Sequence, residues 1–303
     1  MPIITQPTKK RKFNRANIEF PDDICYEILK FMPPKFLVES CILISKQWKR
    51  VIYDRTQTLA FNSYRCNHKL AEFISKFNQL IDLRIRYNNI GIEGCKYISK
   101  LKQLNNLDVG HNNIGNKGCR YISELKQLTS LSICNNEIGD GGFKYIGQLN
   151  QLTNLGISSN NIGDEGCKYI SELKKLTALG MCCNKIGSEG CKYIGQLNRL
   201  TDIDISSNAI GAEGCKYITQ LTQLTSLNIG CNDIGDEGCK YIGQLNQLTE
   251  LCIYDNNIGP EGCKYIGELK QLTRLIISDN NIGGEGARYI GEMKHLNISV
   301  HWR

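Results

Sequence analysis

Cysteine is the residue type in this chain whose number and reactivity point most strongly to possible chemistry. The 303 residues include 15 Cys and 4 His. Clustered thiolates and imidazoles would bind Zn²⁺, and an activated thiolate would act as a nucleophile. The histidines form no ligand set or triad, because they are scattered over the chain at His68, His111, His295 and His301. Whether the cysteines are structural or chemically active must therefore be decided from the helices and strands on which they lie.

A unit of 24 residues recurs nine times between Leu80 and His295, and it fixes where most of these cysteines lie. It reads L-x-x-L-x-I-x-x-N-x-I-G-x-x-G-C-K-Y-I-x-x-L-x-Q. One Asn marks each unit, at Asn88, Asn112, Asn136, Asn160, Asn184, Asn208, Asn232, Asn256 and Asn280. A fixed period in this range predicts a solenoid, and the pattern resembles a leucine-rich repeat.

Seven cysteines occupy one position of the unit: Cys95, Cys119, Cys167, Cys191, Cys215, Cys239 and Cys263. Phe143 and Ala287 fill the same position in the other two units, so we expect a small apolar slot in which a free thiol is buried. The odd total and the absence of paired spacings disfavour a disulfide framework. The cytoplasm or the nucleus is therefore the expected location.

The remaining cysteines do not suggest a metal site either. Cys182 and Cys183 lie two units before Cys231, which corresponds to about 10 Å between parallel strands. Zinc–sulfur bonds are only ~2.3 Å long, so these thiols cannot share an ion. The sequence predicts no metal and no cofactor.

In the first half of each unit, apolar and polar residues alternate as in a strand. In the second half, the apolar residues have the spacing of a helix. Leu128, Leu131 and Ile133 illustrate a short strand with one apolar face, and the Asn follows where the chain turns. In stacked units we expect these asparagines to form a column of buried amides that satisfies the turns. A helix is predicted from Cys167 to Leu173, with Lys168 exposed between Glu165 and Glu172. The predicted fold class is an α/β solenoid, curved, with parallel strands on the concave side and short helices on the convex side.

The net charge of +7 lies before the solenoid. Residues 1–79 contain 14 Lys/Arg and 7 Asp/Glu, and residues 80–303 contain 23 of each. A neutral solenoid disfavours nonspecific nucleic-acid binding. No apolar run approaches the ~18 residues of a membrane span, and no secretory apolar core is present. The run from Lys9 to Lys12, which includes Arg11, is either a nuclear-import signal or a solvated basic arm.

Residues 17–55 do not repeat and predict three short helices. Pro21 precedes a helix start at Asp22 or Asp23, and Pro33-Pro34 ends that helix. The segment is too small for a secure core of its own. Either its apolar side chains are covered by a partner, or the bundle docks on the first repeat as a cap.

The segment resembles an F-box. The matching residues are Phe20-Pro21-Asp22, Ile28-Leu29, Phe31-Met32, Pro33-Pro34, Leu37-Val38 and Leu43-Ile44-Ser45-Lys46-Gln47-Trp48-Lys49. The resemblance implies binding of a Skp-type adaptor attached to a cullin scaffold. The residues it implies for that contact are Pro21, Ile24, Ile28, Leu29, Phe31, Met32, Pro34, Leu37, Leu43, Ile44 and Trp48. The whole chain is thus similar to F-box/leucine-rich-repeat proteins, including bacterial effectors and protist proteins.

We expect five regions. Residues 1–16 form a basic arm, 17–55 the F-box-like segment, 56–79 a capping repeat, 80–295 the nine repeats and 296–303 a capping strand. Leu59 and Phe61 begin the first cap, and Leu296, Ile298 and Val300 alternate in the last, where Trp302 would shield it.

A target protein is expected on the concave face, where the unit varies. The predicted contacts form a basic–aromatic zone near the F-box and an acidic–aromatic zone near the C-terminus, with a paired acid between them. They are Arg84, Arg86, Tyr87, His111, Asp202, Asp204, Glu250, Tyr254, Asp255 and Arg274. Tyrosine and arginine are frequent at interface hot spots.

The resemblance implies a non-catalytic, substrate-recruiting subunit of a cullin-type ubiquitin ligase, in the host cytoplasm if the chain is a bacterial effector. An enzymatic alternative rests on Cys231-Asn232-Asp233, which resembles the Cys-x-Asp nucleophile of bacterial repeat-bearing ubiquitin ligases. It is disfavoured because Asn232 belongs to the repeat pattern. The other alternative is a repeat scaffold or inhibitor without a ligase role.

Overall fold

The computed structural model describes residues 52–54, 56–61, 68–293 and 296–299. The chain divides between Arg55 and Thr56. The basic arm and nearly all of the F-box-like segment, with every predicted adaptor contact from Pro21 to Trp48, lie outside the described residues. Val300 and Trp302 lie outside them as well.

The strands form one parallel sheet in chain order. Partners are 24 residues apart through most of the sheet, as in the pair Leu83 and Leu107. The strands are β1 (Thr58–Ala60), β2 (Asp82–Arg84), β3 (Asn106–Asp108), β4 (Ser130–Ser132), β5 (Asn154–Gly156), β6 (Ala178–Gly180), β7 (Asp202–Asp204), β8 (Ser226–Asn228), β9 (Glu250–Cys252), β10 (Arg274–Ile276) and β11 (Asn297–Ser299). A parallel sheet with helical crossovers is the arrangement that the alternating pattern predicts.

Each crossover contains a short helix. These are α1 (His68–Ile74), α2 (Gly91–Ile98), α3 (Gly115–Ile122), α4 (Gly139–Ile146), α5 (Asp164–Cys167), α6 (Ser188–Ile194), α7 (Gly211–Ile218), α8 (Gly235–Ile242), α9 (Pro260–Ile266) and α10 (Gly283–Gly291). Helix α5 is followed by a 3₁₀ turn at Ile170–Glu172. None of the helices in the described part of the chain has the length and apolar character needed to cross a bilayer.

The core lies between the strands and the helices. Cys167, Ile170 and Leu173 are completely buried, as the spacing predicts, and the seven repeat cysteines are all buried. Lys168 is exposed and its Nζ lies 2.6 Å from Glu165. The predicted second pair with Glu172 does not form, because the chain between them leaves the α-helix for the 3₁₀ turn.

The repeated asparagines form a ladder inside the solenoid. Asn136 Oδ1 accepts hydrogen bonds from the backbone N–H groups of Asn112 (2.9 Å) and Ile114 (3.3 Å). Its Nδ2 donates to the carbonyl oxygens of Val109, Ile133 and Cys134. The side chain thereby satisfies buried turn groups of two consecutive repeats, which the strand hydrogen bonds do not reach.

A threonine ladder runs beside the strands and was not predicted. The Thr153 hydroxyl donates to the Thr129 carbonyl oxygen at 3.1 Å, and the Thr153 N–H donates to the same oxygen at 2.8 Å. Equivalent hydroxyl bonds are made by Thr129, Thr177, Thr201, Thr225, Thr249 and Thr273. These bonds help to fix the register of each repeat against the preceding one.

Candidate functional site

The solvent side of the sheet, called the strand face here, consists of the strand positions on either side of each buried central residue. In β7, Ile203 is 1% exposed, whereas Asp202 is exposed and Asp204 is half-buried. The buried position is Leu or Ile in every strand from β1 to β10, but the flanking positions differ from one repeat to the next. The fold requires an apolar residue at the buried central position. The flanking positions are not constrained in this way and are free to serve recognition.

The residue before each ladder asparagine has a left-handed backbone conformation. Tyr87 has φ of 60°, His111 of 56° and Asp255 of 51°. Non-glycine residues rarely adopt this conformation, and bulky ones least of all. The turn therefore imposes one backbone conformation on a series of different side chains at the edge of the strand face.

Both predicted arginines near the N-terminal end have an acidic neighbour. Arg84 Nη2 lies 2.9 Å from Asp82 Oδ2, and this contact is the main reason that the pKa of Arg84 is raised. Arg86 lies over Gly110, with its Nε 3.7 Å from Asp108 Oδ1. The positive charge of this end is therefore largely compensated, which disfavours a free phosphate site there.

The aromatic part of this end is preformed. The rings of Tyr87 and His111 stack with centroids 4.1 Å apart. His111 Nδ1 lies 2.7 Å from Asn135 Nδ2, and the Arg86 guanidinium lies 5.8 Å from the Tyr87 ring centroid. Tyr87 remains 50% exposed. An ordered, exposed aromatic side chain is well suited to contact another protein at low entropic cost.

The middle of the strand face is shallow and polar. Asp204 Oδ1 accepts hydrogen bonds from the N–H (3.0 Å) and the hydroxyl (2.7 Å) of Ser206. Asp202 and Asp204 border a groove of about 250 Å³ whose floor includes Gly156 and Gly180. The glycines leave this part of the sheet without projecting side chains, so a partner could approach the backbone closely.

The C-terminal end is formed by charged pairs and one tyrosine. Arg274 Nη1 lies 3.2 Å from Glu250 Oε2. The Tyr254 ring lies directly over Gly230 of the preceding repeat, where a Cβ atom would collide with it. Cys231 Sγ lies 3.4 Å from Asp255 Oδ2. The two predicted zones are therefore separated by the acidic middle strand, and they do not form one pocket.

The surroundings of Cys231 disfavour activation of its thiol as a nucleophile. Desolvation raises the pKa of its thiol, and the Asp255 carboxylate also raises it. A reactive cysteine needs the opposite, a lowered pKa in positive surroundings. Over the described parts of the chain, no three His, Cys, Asp or Glu side chains are placed to hold a metal ion.

The comparison with family models matches a leucine-rich-repeat family to residues 102–123, 149–171, 197–218, 220–243, 245–267 and 270–291. No F-box model matches the chain. No curated protein matches it by sequence.

Solved structures share the fold. An internalin, InlF, from Listeria monocytogenes is 24% identical, with a TM-score of 0.65 over 77% of this chain and 70% of the internalin. The plant peptide hormone receptor RGFR1, solved in complex with RGF2, is 20% identical, with a TM-score of 0.54 over 86% of this chain and 41% of the receptor. Internalin C2 from the same Listeria species is 20% identical, with a TM-score of 0.51 over 67% of this chain and 83% of the internalin. The six matched segments are leucine-rich repeats, and the repeats outside them share the same 24-residue period and the same asparagine ladder.

Proposed function

We propose that the solenoid is a protein-binding scaffold whose strand face contacts a target protein. The observation that carries this proposal is the contrast within each strand. The buried position stays apolar throughout the sheet, whereas the exposed or half-buried positions beside it change from Asp82 and Arg84 to Gly156, Asp202 and Arg274. Repeat proteins of this kind offer long ordered surfaces to macromolecules rather than enclosed sites for small ones. The compensated charges of the strand face favour a protein partner over a polyanion.

Site-specific photo-crosslinking tests this proposal. A photoreactive residue replaces Asn154 on the strand face or, in the control, Lys192 on the opposite helical side. Both side chains are exposed. The proposal expects one protein to crosslink through position 154 and not through position 192. Equal capture through both positions, or capture only through position 192, would refute it.

The finer proposal is that the chain recruits substrates to a cullin-type ubiquitin ligase. It is supported by the sequence motif of residues 17–55, above all by Pro33-Pro34, Leu29 and Trp48 in their expected order. In this proposal the motif binds a Skp-type adaptor, and the strand face holds the target near the conjugating enzyme, which raises the effective concentration of the target. The alternative remains a scaffold or inhibitor without a ligase role.

Co-purification with a purified Skp-type adaptor separates these two proposals. The full chain should retain the adaptor, and the combination of Leu29→Asp with Trp48→Ala should abolish retention. A matched control is Asn154→Ala, which changes only the exposed strand face. Absence of binding, or binding that the double substitution leaves unchanged, would exclude the ligase role.

A further inference from the structure

Charge is not distributed evenly along the solenoid, although its total is zero. Residues 80–151 contain 9 Lys/Arg and 6 Asp/Glu, residues 152–223 contain 7 of each, and residues 224–295 contain 6 Lys/Arg and 10 Asp/Glu. The first three repeats are thus net positive and the last three net negative. The excess positive charge has a local origin on the helical side, called the helix face here.

Seven of the nine helices from α2 to α10 carry a glutamate three residues before their exposed cation, and four of these glutamates form an ion pair with it. The pairs and their distances are Glu165–Lys168 at 2.6 Å, Glu213–Lys216 at 3.4 Å, Glu237–Lys240 at 3.5 Å and Glu261–Lys264 at 3.3 Å. Helices α3 and α4 lack this acid, since Lys117 and Gly141 occupy its position. Within the described residues, Lys117, Arg120 and Lys144 have no ion-pair partner.

Lys117 and Gly141, the two residues that stand in place of the glutamate, border a groove of about 460 Å³ on the helix face. Its lining residues are Ile92, Asn116, Lys117, Arg120, Tyr121, Gly141 and Tyr145. We call it the basic groove. Ile92 is 39% exposed, and both tyrosines are half-buried. Gly141 is exposed and has no side chain, so the groove is open at the position where other repeats place a glutamate.

We propose that the basic groove binds an acidic segment of a partner protein, with an apolar side chain of that segment seated against Ile92, Tyr121 and Tyr145. Lys117 and Arg120 lie at its border and would pair with carboxylates, an attraction that the missing acids no longer offset. The apolar floor favours a peptide over a nucleic acid, for which a longer row of cations along the backbone would be needed. This site lies on the opposite side from the strand face and is independent of the proposed target site there.

The test measures fluorescence anisotropy of the full chain with a labelled peptide of glutamates and aspartates around one phenylalanine. Lys117→Glu installs the acid that the other repeats carry three residues before their cation, so the fold should tolerate it. The matched control is Lys192→Glu on α6, which changes the total charge equally on the same face. We expect Lys117→Glu to weaken binding roughly tenfold or more, and Lys192→Glu to have little effect.

Two further measurements test the apolar part and the class of partner. Ile92→Ser should weaken binding of the phenylalanine peptide but not of the same peptide with serine in place of phenylalanine. Equal effects of Lys117→Glu and Lys192→Glu would overturn the proposal, as would equal binding of a peptide with lysine in place of each acid. Tighter binding of a single-stranded oligonucleotide, with the same sensitivity to Lys117→Glu, would overturn the assignment to a protein partner.

Discussion

Asp236 Oδ1 accepts a hydrogen bond from the backbone N–H of Gly259 in the next repeat, at 2.7 Å, and a second from Gly262 at 2.9 Å. The carboxylate thus satisfies free N–H groups at the start of α9. With this bond, Gly259 has φ of −99° and an extended backbone, and α9 begins one residue later than helices such as α8.

The same relationship holds wherever this repeat position is aspartate. Asp140 accepts from Gly163 and Asp164 from Gly187, each at 2.7 Å, and both glycines are extended. Where the position is another residue, the following glycine has φ between 56° and 60°. One side chain in a repeat therefore selects between two conformations of the turn in the next repeat.

Removal of the Asp236 carboxylate should destabilise the solenoid. Asp236→Ala loses two bonds at a helix start, and we expect the free energy of unfolding to fall by about 1–2 kcal/mol. The control is Ser188→Ala at the same repeat position, where the next glycine is left-handed, with an expected change within about 0.5 kcal/mol. Urea unfolding measures both. Equal losses would show that the carboxylate does not stabilise the next helix.

The two glycine conformations predict opposite tolerance of alanine. Gly235 has φ of 59°, so Gly235→Ala should cost about 1 kcal/mol although no atom obstructs the added methyl group. Gly163 is extended, and a Cβ atom there would meet its nearest neighbours at 3.7 Å. Gly163→Ala should therefore be neutral or slightly stabilising. Urea midpoints in the reverse order would contradict the assigned conformations.

The asparagine ladder predicts a large loss on truncation of a middle member. Asn136→Ala leaves buried N–H and carbonyl groups of two repeats without partners, and we expect a loss of about 3–5 kcal/mol. The control, Asn106→Ala, changes an exposed strand residue and should stay within about 0.5 kcal/mol. Thermal and urea unfolding of both variants provide the measurement. A small loss for Asn136→Ala would mean that water replaces the ladder.

The buried thiols predict a loss of stability in alkali. Desolvation raises the pKa of Cys119, Cys167 and Cys215 from 9.0 to about 12. The folded thiols then keep their protons while the unfolded ones release them. Their contribution is thus intact below pH 9 and falls between pH 9 and 12, by about 1.4 kcal/mol per pH unit for each thiol.

The matched variant replaces these three cysteines with alanine. Alanine already occurs at this repeat position in the natural chain, as Ala287. It should lose stability less steeply than the natural chain above about pH 9, as measured by urea midpoints across this range. Identical slopes for the two proteins would indicate that the thiols do not titrate on unfolding.

The sequence period was sufficient to predict the parallel sheet, the asparagine ladder and the burial of Cys167, because these features repeat in every unit. The threonine ladder was missed although Thr129 and Thr153 share the same period. A hydroxyl before a strand gave no reason to expect a bond to the preceding repeat. The turn switch was also missed, because it depends on Asp236 acting on Gly259 in a different unit.

The sequence placed Arg84, Asp202 and Glu250 on the strand face, but it could not predict which side chains pair there. That these residues contact a target stays a prediction. Arg84 turns toward Asp82 and Tyr254 lies over Gly230 because of side-chain packing between neighbouring strands. The basic groove was missed for a related reason. Lys117 and Gly141 are ordinary residues when read singly, and their effect arises only where α3 and α4 lie side by side.

The most direct measurement of the central claim is the affinity of the protein captured through position 154 for three forms of the full chain. The strand-face variant combines Asp202→Ala with Glu250→Ala, and the control combines Glu213→Ala with Glu237→Ala on the helix face; all four side chains are exposed. Both variants lose the same charge. We predict that the strand-face variant binds roughly tenfold more weakly and that the control binds like the natural chain. Unchanged binding by the strand-face variant, with loss in the control, would contradict the account.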